Sequence, residues 1–100
     1  MFKKYVIYLG LNDKITKKQE IATPAAIEKA ARYFRDCTIT ETTGYYTHDS
    51  GDVVTEKTLK IEKIDFAGVF NIEKAAADLK AMFNQESVAV EFSAVNSKLM

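Results

Sequence analysis

An α+β sandwich in the order β-α-β-β-α-β is the fold that this 100-residue sequence predicts. Three observations lead there. Apolar residues alternate with period two in four stretches and recur at helical spacing in two others, with almost nothing left over. Two segments open on helix-start residues, Thr23-Pro24 and Asn71. A cluster of turn formers, His48-Asp49-Ser50-Gly51-Asp52, separates the two central alternating stretches. A chain of this length holds one core, so residues 1–100 are expected to form a single domain.

The first strand is expected from Lys4 to about Leu11, with Tyr5, Ile7, Leu9 and Leu11 toward the core. The opening residues, Met1 to Leu9, faintly suggest a signal peptide. Their short apolar run alternates with tyrosine and no small-residue cleavage site follows, so they read as a strand. Asn12–Ala22 is a polar connection, longer than the roughly two to six residues usual between strand and helix. The first helix begins at Thr23-Pro24, with Thr23 as its cap and Ala26, Ile27, Ala30, Ala31 and Phe34 as its buried stripe.

Strand two runs from about Thr38 to Thr47 and strand three from Val53 to about Phe66. Pairing Ile39 with Ile61 sets Glu41 opposite Leu59, Gly44 opposite Glu56, Tyr45 opposite Thr55 and Thr47 opposite Val53. Ile39, Leu59 and Ile61 then share one face, and Gly44 is a candidate bulge. Asn71 caps the second helix, whose stripe is Ile72, Ala75, Ala76, Leu79, Met82 and Phe83, and Asn84 ends it. The fourth strand spans Ser87 to about Val95, with Val88, Val90, Phe92 and Ala94 inward.

Composition narrows the function classes. With 47% hydrophobic and 28% charged residues the chain is globular rather than disordered or fibrous. No apolar run approaches the roughly 20 residues that span a bilayer, so no membrane partner is expected. A lone Cys37 excludes an internal disulfide and fits the reducing cytoplasm. Fourteen basic residues balance fourteen acidic ones, which argues against a nucleic-acid partner. The charge is segregated, however. Residues 1–20 carry five lysines against Asp13 and Glu20, whereas residues 38–56 carry Glu41, Asp49, Asp52 and Glu56 and no cation. Such ends can dock on a partner or on another copy of the chain, or they are simply two patches of a solvated surface.

The element order gives a ferredoxin-like sandwich, with antiparallel strands ordered 4-1-3-2 and both helices on one face. Three connections then share one end: the Asn12–Ala22 loop, the His48–Asp52 turn and the Asn84-Gln85-Glu86 corner. That end gathers Asn12, Asp13, Lys14, Gln19, Glu20, His48, Asn84, Gln85 and Glu86, the candidate ligand- or partner-binding residues. The helix-free sheet face is the second candidate. Val6, Tyr8, Tyr46, Val54, Val95 and the stem of Lys60 face water there, and Tyr8, Tyr46 and Val54 are the expected dimer face. RNA-recognition modules use the same face with basic residues and aromatics, whereas this one carries Glu56, Glu62 and Glu91.

No catalytic constellation emerges. His48 with Asp49, Asp52 and Glu56 could ligate a cation, but zinc sites favour two or more histidines or cysteines, so His48 reads as a turn residue. Cys37 lies a full strand from His48 and reads as a small buried thiol. Asp13, Glu20 and Glu86 could pair as acid and base, yet surface carboxylates are common. No phosphate-cradling glycine motif is present. The residues therefore assign no catalytic group, no metal and no cofactor.

Three stretches carry a likeness to known sequences: Tyr5-Val6-Ile7-Tyr8-Leu9-Gly10-Leu11-Asn12-Asp13-Lys14 with Lys18-Gln19-Glu20, Gly44 to His48 with Gly51 to Glu56, and Asn84 to Val88. Together they resemble a group of small single-domain proteins of bacteria, phages and mobile elements that carries no assigned activity. The resemblance implies an accessory or anti-defence protein that acts by binding. The resulting expectation is a non-enzymatic cytoplasmic binding protein whose partner is a second copy or another protein. The alternative is a small-ligand-binding module or small enzyme with its polar site where loops 12–22, 48–52 and 84–87 meet.

Overall fold

Alternation of period two yields four strands whose side chains point in turn to the two faces of one sheet. The computed structural model describes residues 1–47 and 50–100. Its elements, in order, are β1 (Phe2–Gly10), α1 (Thr23–Phe34), β2 (Thr38–Thr47), β3 (Val53–Asp65), α2 (Ile72–Met82) and β4 (Ala89–Val95). The strands form one antiparallel sheet in the order β2-β3-β1-β4, which is the expected order read from the other edge. Among the described residues no helix is long and apolar enough to cross a membrane.

Ile7, Leu9, Leu59 and Ile61 form the centre of the inner face and are fully buried. Ala26, Ala30 and Phe34 of α1 and Ala75, Leu79 and Phe83 beside them close the core from the helix side. The β2–β3 register is the one the sequence implies, with Ile39 opposite Ile61 and Thr47 opposite Val53. Gly44 is not a bulge. Pairing runs unbroken through it, and its missing side chain is required by crowding: a Cβ there would lie 2.7 Å from Thr58 Oγ1 and 3.0 Å from the Tyr46 ring.

The second helix starts as expected, since Asn71 Oδ1 accepts from the Lys74 N–H at 3.0 Å. It ends at Asn84, whose φ of 48° is left-handed, and the Gln85 N–H reaches back to the Lys80 carbonyl at 2.9 Å. The first helix differs. Ala22 occupies the cap position without a side-chain bond, and Thr23 is already helical. Thr23 Oγ1 instead accepts from Gln19 Nε2 at 2.9 Å, so the hydroxyl serves the preceding loop.

Two burial expectations fail for a common reason, that register gives a side and neighbours give the cover. Phe92 points to the helix side but is 64% exposed, and Ala94 is exposed too, because β4 is an edge strand. Conversely Val6 lies on the helix-free face and is buried. Its pair partner Glu62 meets Lys4 at 3.6 Å and Lys60 at 3.7 Å, and these long side chains lie around it. At the opposite end Asp65, buried, accepts from the Gly68 and Phe70 N–H groups at 2.9 and 3.0 Å and shapes the turn into α2.

Candidate functional site

The helix-free face is not flat at its upper end. Asn12 follows β1, and its N–H donates to Glu56 Oε2 at 2.9 Å, which bends the Glu56 side chain over Gly10. Gly10 makes this possible, because a Cβ there would lie 2.7 Å from the Glu56 carboxyl carbon. Tyr46 on β2, Val54 and Glu56 on β3, Tyr8 and Gly10 on β1 and Ala89 on β4 make the floor of a cleft of about 370 Å³. Its rim is the loop carrying Asn12, Asp13, Lys14 and Lys17, with Gln85, Glu86 and Ser87 facing it.

The rim is held by side chains that look like turn residues in the sequence. Asp13 Oδ1 accepts from the Ile15 and Thr16 N–H groups at 2.8 and 3.1 Å, and its Oδ2 accepts from Asn84 Nδ2 at 2.8 Å. These bonds, the Asn84 one foremost, hold the Asp13 carboxyl below its ordinary range. The Lys14 N–H donates to the Asn84 carbonyl at 2.9 Å, and Gln85 Nε2, itself buried, donates to the Asn12 carbonyl at 2.6 Å. The 84–86 corner and the long loop, which the strand order brings to one end, are therefore tied together by both amides. The loop closes on itself through Asp13 N–H to the Lys18 carbonyl at 2.8 Å and an Asn12–Gln19 bridge. Lys17 lies on its returning side with φ 63°. On the floor, the Tyr8 hydroxyl donates to Glu91 Oε1 at 2.8 Å, and that bond chiefly raises the phenol's pKa.

The two candidate regions thus merge. Asn12, Asp13, Lys14, Gln85 and Glu86 from the loop end and Tyr8, Tyr46 and Val54 from the expected dimer face line one cleft. Asn84 acts behind the rim through Asp13. Gln19 does not reach the cleft, since its amide is engaged with the Ile21 carbonyl and Thr23. Glu20 lines a separate shallow groove with Lys29 and Met82. His48 and Asp49 lie outside the described residues. The other two supposed cation ligands point elsewhere, Asp52 toward Ser50 and Glu56 toward Asn12. Gly10, Lys17, Ser87 and Ala89 were not among the candidate residues, and Glu56 was weighed as a metal ligand and as an acidic residue of the helix-free face but not as part of a binding site. The signal was available: the register places Glu56 across from Gly44 on the helix-free face, one step from the loop end.

A roomier hollow of about 460 Å³ lies against α1, but its polar groups are spent on each other. Arg32 pairs with Glu28 at 2.6 Å, Lys29 donates to the Met82 carbonyl at 3.1 Å, and the Tyr33 hydroxyl donates to Asp78 at 2.5 Å. Burial, with Asp78 beside it, pushes the Tyr33 phenol up to about 12.

No protein-family model and no curated protein matches the chain. Solved structures do. A phage SAM lyase in complex with S-methyl-5′-thioadenosine is 27% identical, with a TM-score of 0.71, over 92% of this chain and 80% of that one. A phage SAM lyase in the apo state is likewise 27% identical, with a TM-score of 0.64, over 91% and 78%. Both are phage proteins, in keeping with the resemblance to small phage domains. Both are also enzymes, and this overturns the expectation of a non-enzymatic binding protein. The alternative, a small-ligand site at the loop end, agrees better with the likeness and with the cleft. No familiar catalytic motif marked it because its residues come from separate segments.

Proposed function

We propose that the protein is a lyase acting on S-adenosylmethionine (SAM), with its site in the cleft above Gly10. The observation that carries this reading is the likeness, over most of both chains, to a SAM lyase in complex with S-methyl-5′-thioadenosine (MTA). The cleft supports it. SAM is a sulfonium cation, and the floor offers two tyrosines, Tyr8 and Tyr46, and the Glu56 carboxylate. Aromatic faces and a fixed carboxylate both attract such a cation.

MTA keeps the methyl and adenosyl groups, so the bond that breaks joins sulfur to the aminobutyrate arm, and its electron pair stays on sulfur. A lyase adds no water. The arm's own carboxylate supplies the new pair to that carbon and closes a five-membered lactone, and no proton moves. The step cancels a positive and a negative charge, so partial removal from water favours it, and holding the arm folded removes most of its entropic cost. Glu56 holds and orients the sulfonium, and its bond to the Asn12 N–H fixes where it sits.

Incubating the protein with SAM and following MTA by chromatography is the test. The expected result is MTA and homoserine lactone in equal amounts, above the rate without protein. Glu56→Gln retains the shape and an acceptor for the Asn12 N–H but not the charge, and should slow MTA release by roughly tenfold or more. MTA release by the wild type at the uncatalysed rate would sink the reading.

A further inference from the structure

We infer that Lys14 and Lys17 form a subsite for the carboxylate of the substrate's amino-acid arm, and so distinguish substrate from product. The inference rests on the SAM reading above and deepens it. The cleft is chemically two-sided: Glu56 lies on its floor and Lys14 and Lys17 on its rim. Several other lysines of the chain are paired, Lys4 and Lys60 with Glu62, Lys57 with Glu41 and Lys74 with Asp78. Neither Lys14 nor Lys17 makes an ion pair among the described residues, although Glu56 and Glu86 line the same cleft.

Their backbone is fixed independently of any ligand. The Lys14 N–H is tied to the Asn84 carbonyl at 2.9 Å, and the Lys17 N–H to the Asp13 carbonyl at 2.9 Å. Lys17 holds a left-handed φ of 63°, a conformation unfavourable for a residue with a side chain and sustained by that turn. A rigid loop that presents two unpaired cations at the mouth of a cleft suits a small anion.

SAM carries its carboxylate a few bonds from the sulfonium, which matches a site with a carboxylate inside and ammonium groups at the edge. A rim lysine on one carboxylate oxygen leaves the other free to close on carbon. After cleavage MTA has no carboxylate, so it loses this anchor and leaves. The subsite therefore favours entry of substrate and release of product.

Calorimetric binding of two probes separates the possibilities. S-adenosylhomocysteine keeps the arm and its carboxylate but has a neutral thioether in place of the sulfonium, so the cleavage above does not consume it. MTA lacks the arm. Wild type should bind S-adenosylhomocysteine more tightly than MTA. The double variant Lys14→Gln with Lys17→Gln should lose about tenfold for S-adenosylhomocysteine and leave MTA unchanged within about twofold. The corresponding pair of arginine substitutions should keep the preference. If MTA binds and the glutamine variant retains the wild-type preference, or loses both ligands equally, the lysine subsite is wrong while the SAM reading stands. If neither ligand binds the wild type, the SAM reading itself falls and this inference with it.

Discussion

Gly10 and Gly44 look alike in the sequence, each a glycine inside a strand, yet the structure gives them different work. At Gly10 the space is taken by the end of the flexible Glu56 side chain. At Gly44 it is taken by Thr58 Oγ1, on a residue only 3% exposed, and by the Tyr46 ring. A methyl group at position 10 can be accommodated by swinging Glu56 away, whereas one at position 44 must push a buried residue of the helix-free face. Gly44→Ala is therefore expected to cost about 1–3 kcal/mol of stability in urea denaturation. Gly10→Ala should cost less than about 1 kcal/mol but remove most of the MTA-forming activity, because Glu56 leaves its place. The reverse pattern would mean that Glu56 has no functional position to lose.

The Asn12–Ala22 loop and the corner after α2 form one structural unit although neither is a regular element. Gln85 and Asn84 supply the bonds that replace a strand partner for this loop. Gln85→Ala should raise amide exchange across residues 12–19 while leaving the sheet core unchanged, and equal protection in the two proteins would show that the amide does not order the loop. Acid gives a second handle. The Asp13 carboxyl has a lower pKa folded than unfolded, so its contribution is complete above the ordinary carboxylate value and is lost as pH falls through the lowered one. Loop exchange should thus rise at a lower pH than an ordinary aspartate would dictate. Asn84→Gly, which removes the amide and tolerates the positive φ, should move that pH upward.

This unit also shows what the sequence could reveal. The strand register was legible because a one-residue slip would have turned Ile39, Leu59 and Ile61 to water. That corner and loop share one end was legible from strand order. Cover was not: Phe92 alternates like a core residue but sits on an edge strand, where the Lys3 ammonium 5.5 Å over its ring leaves most of it in water. Nor was the Thr23 cap, since Gln19 claims the hydroxyl first.

Across the whole molecule, the cleft draws on β1, β2, β3, β4, the long loop and the corner, so a ligand there binds only the assembled fold. MTA at about 100 times its dissociation constant should then stabilise the protein by about 2.7 kcal/mol, a rise on the order of 10 °C in Tm. An unchanged Tm across that range of MTA would show that the folded protein does not bind it. The same dispersal explains why the site was only half legible: Glu56 acquires meaning from Gly10 and Asn12, which are 46 and 44 positions away. The ties between Asn84 and Asp13 and between Gln85 and Asn12 reach further, over 71 and 73 positions. Loops closed over such distances form late, after the local hairpin and helices. During synthesis the first strand and its loop must wait for the final third of the chain to emerge. A nascent chain that already holds its β2–β3 hairpin still has no rim, so binding competence arrives as a last step in biogenesis rather than growing with length.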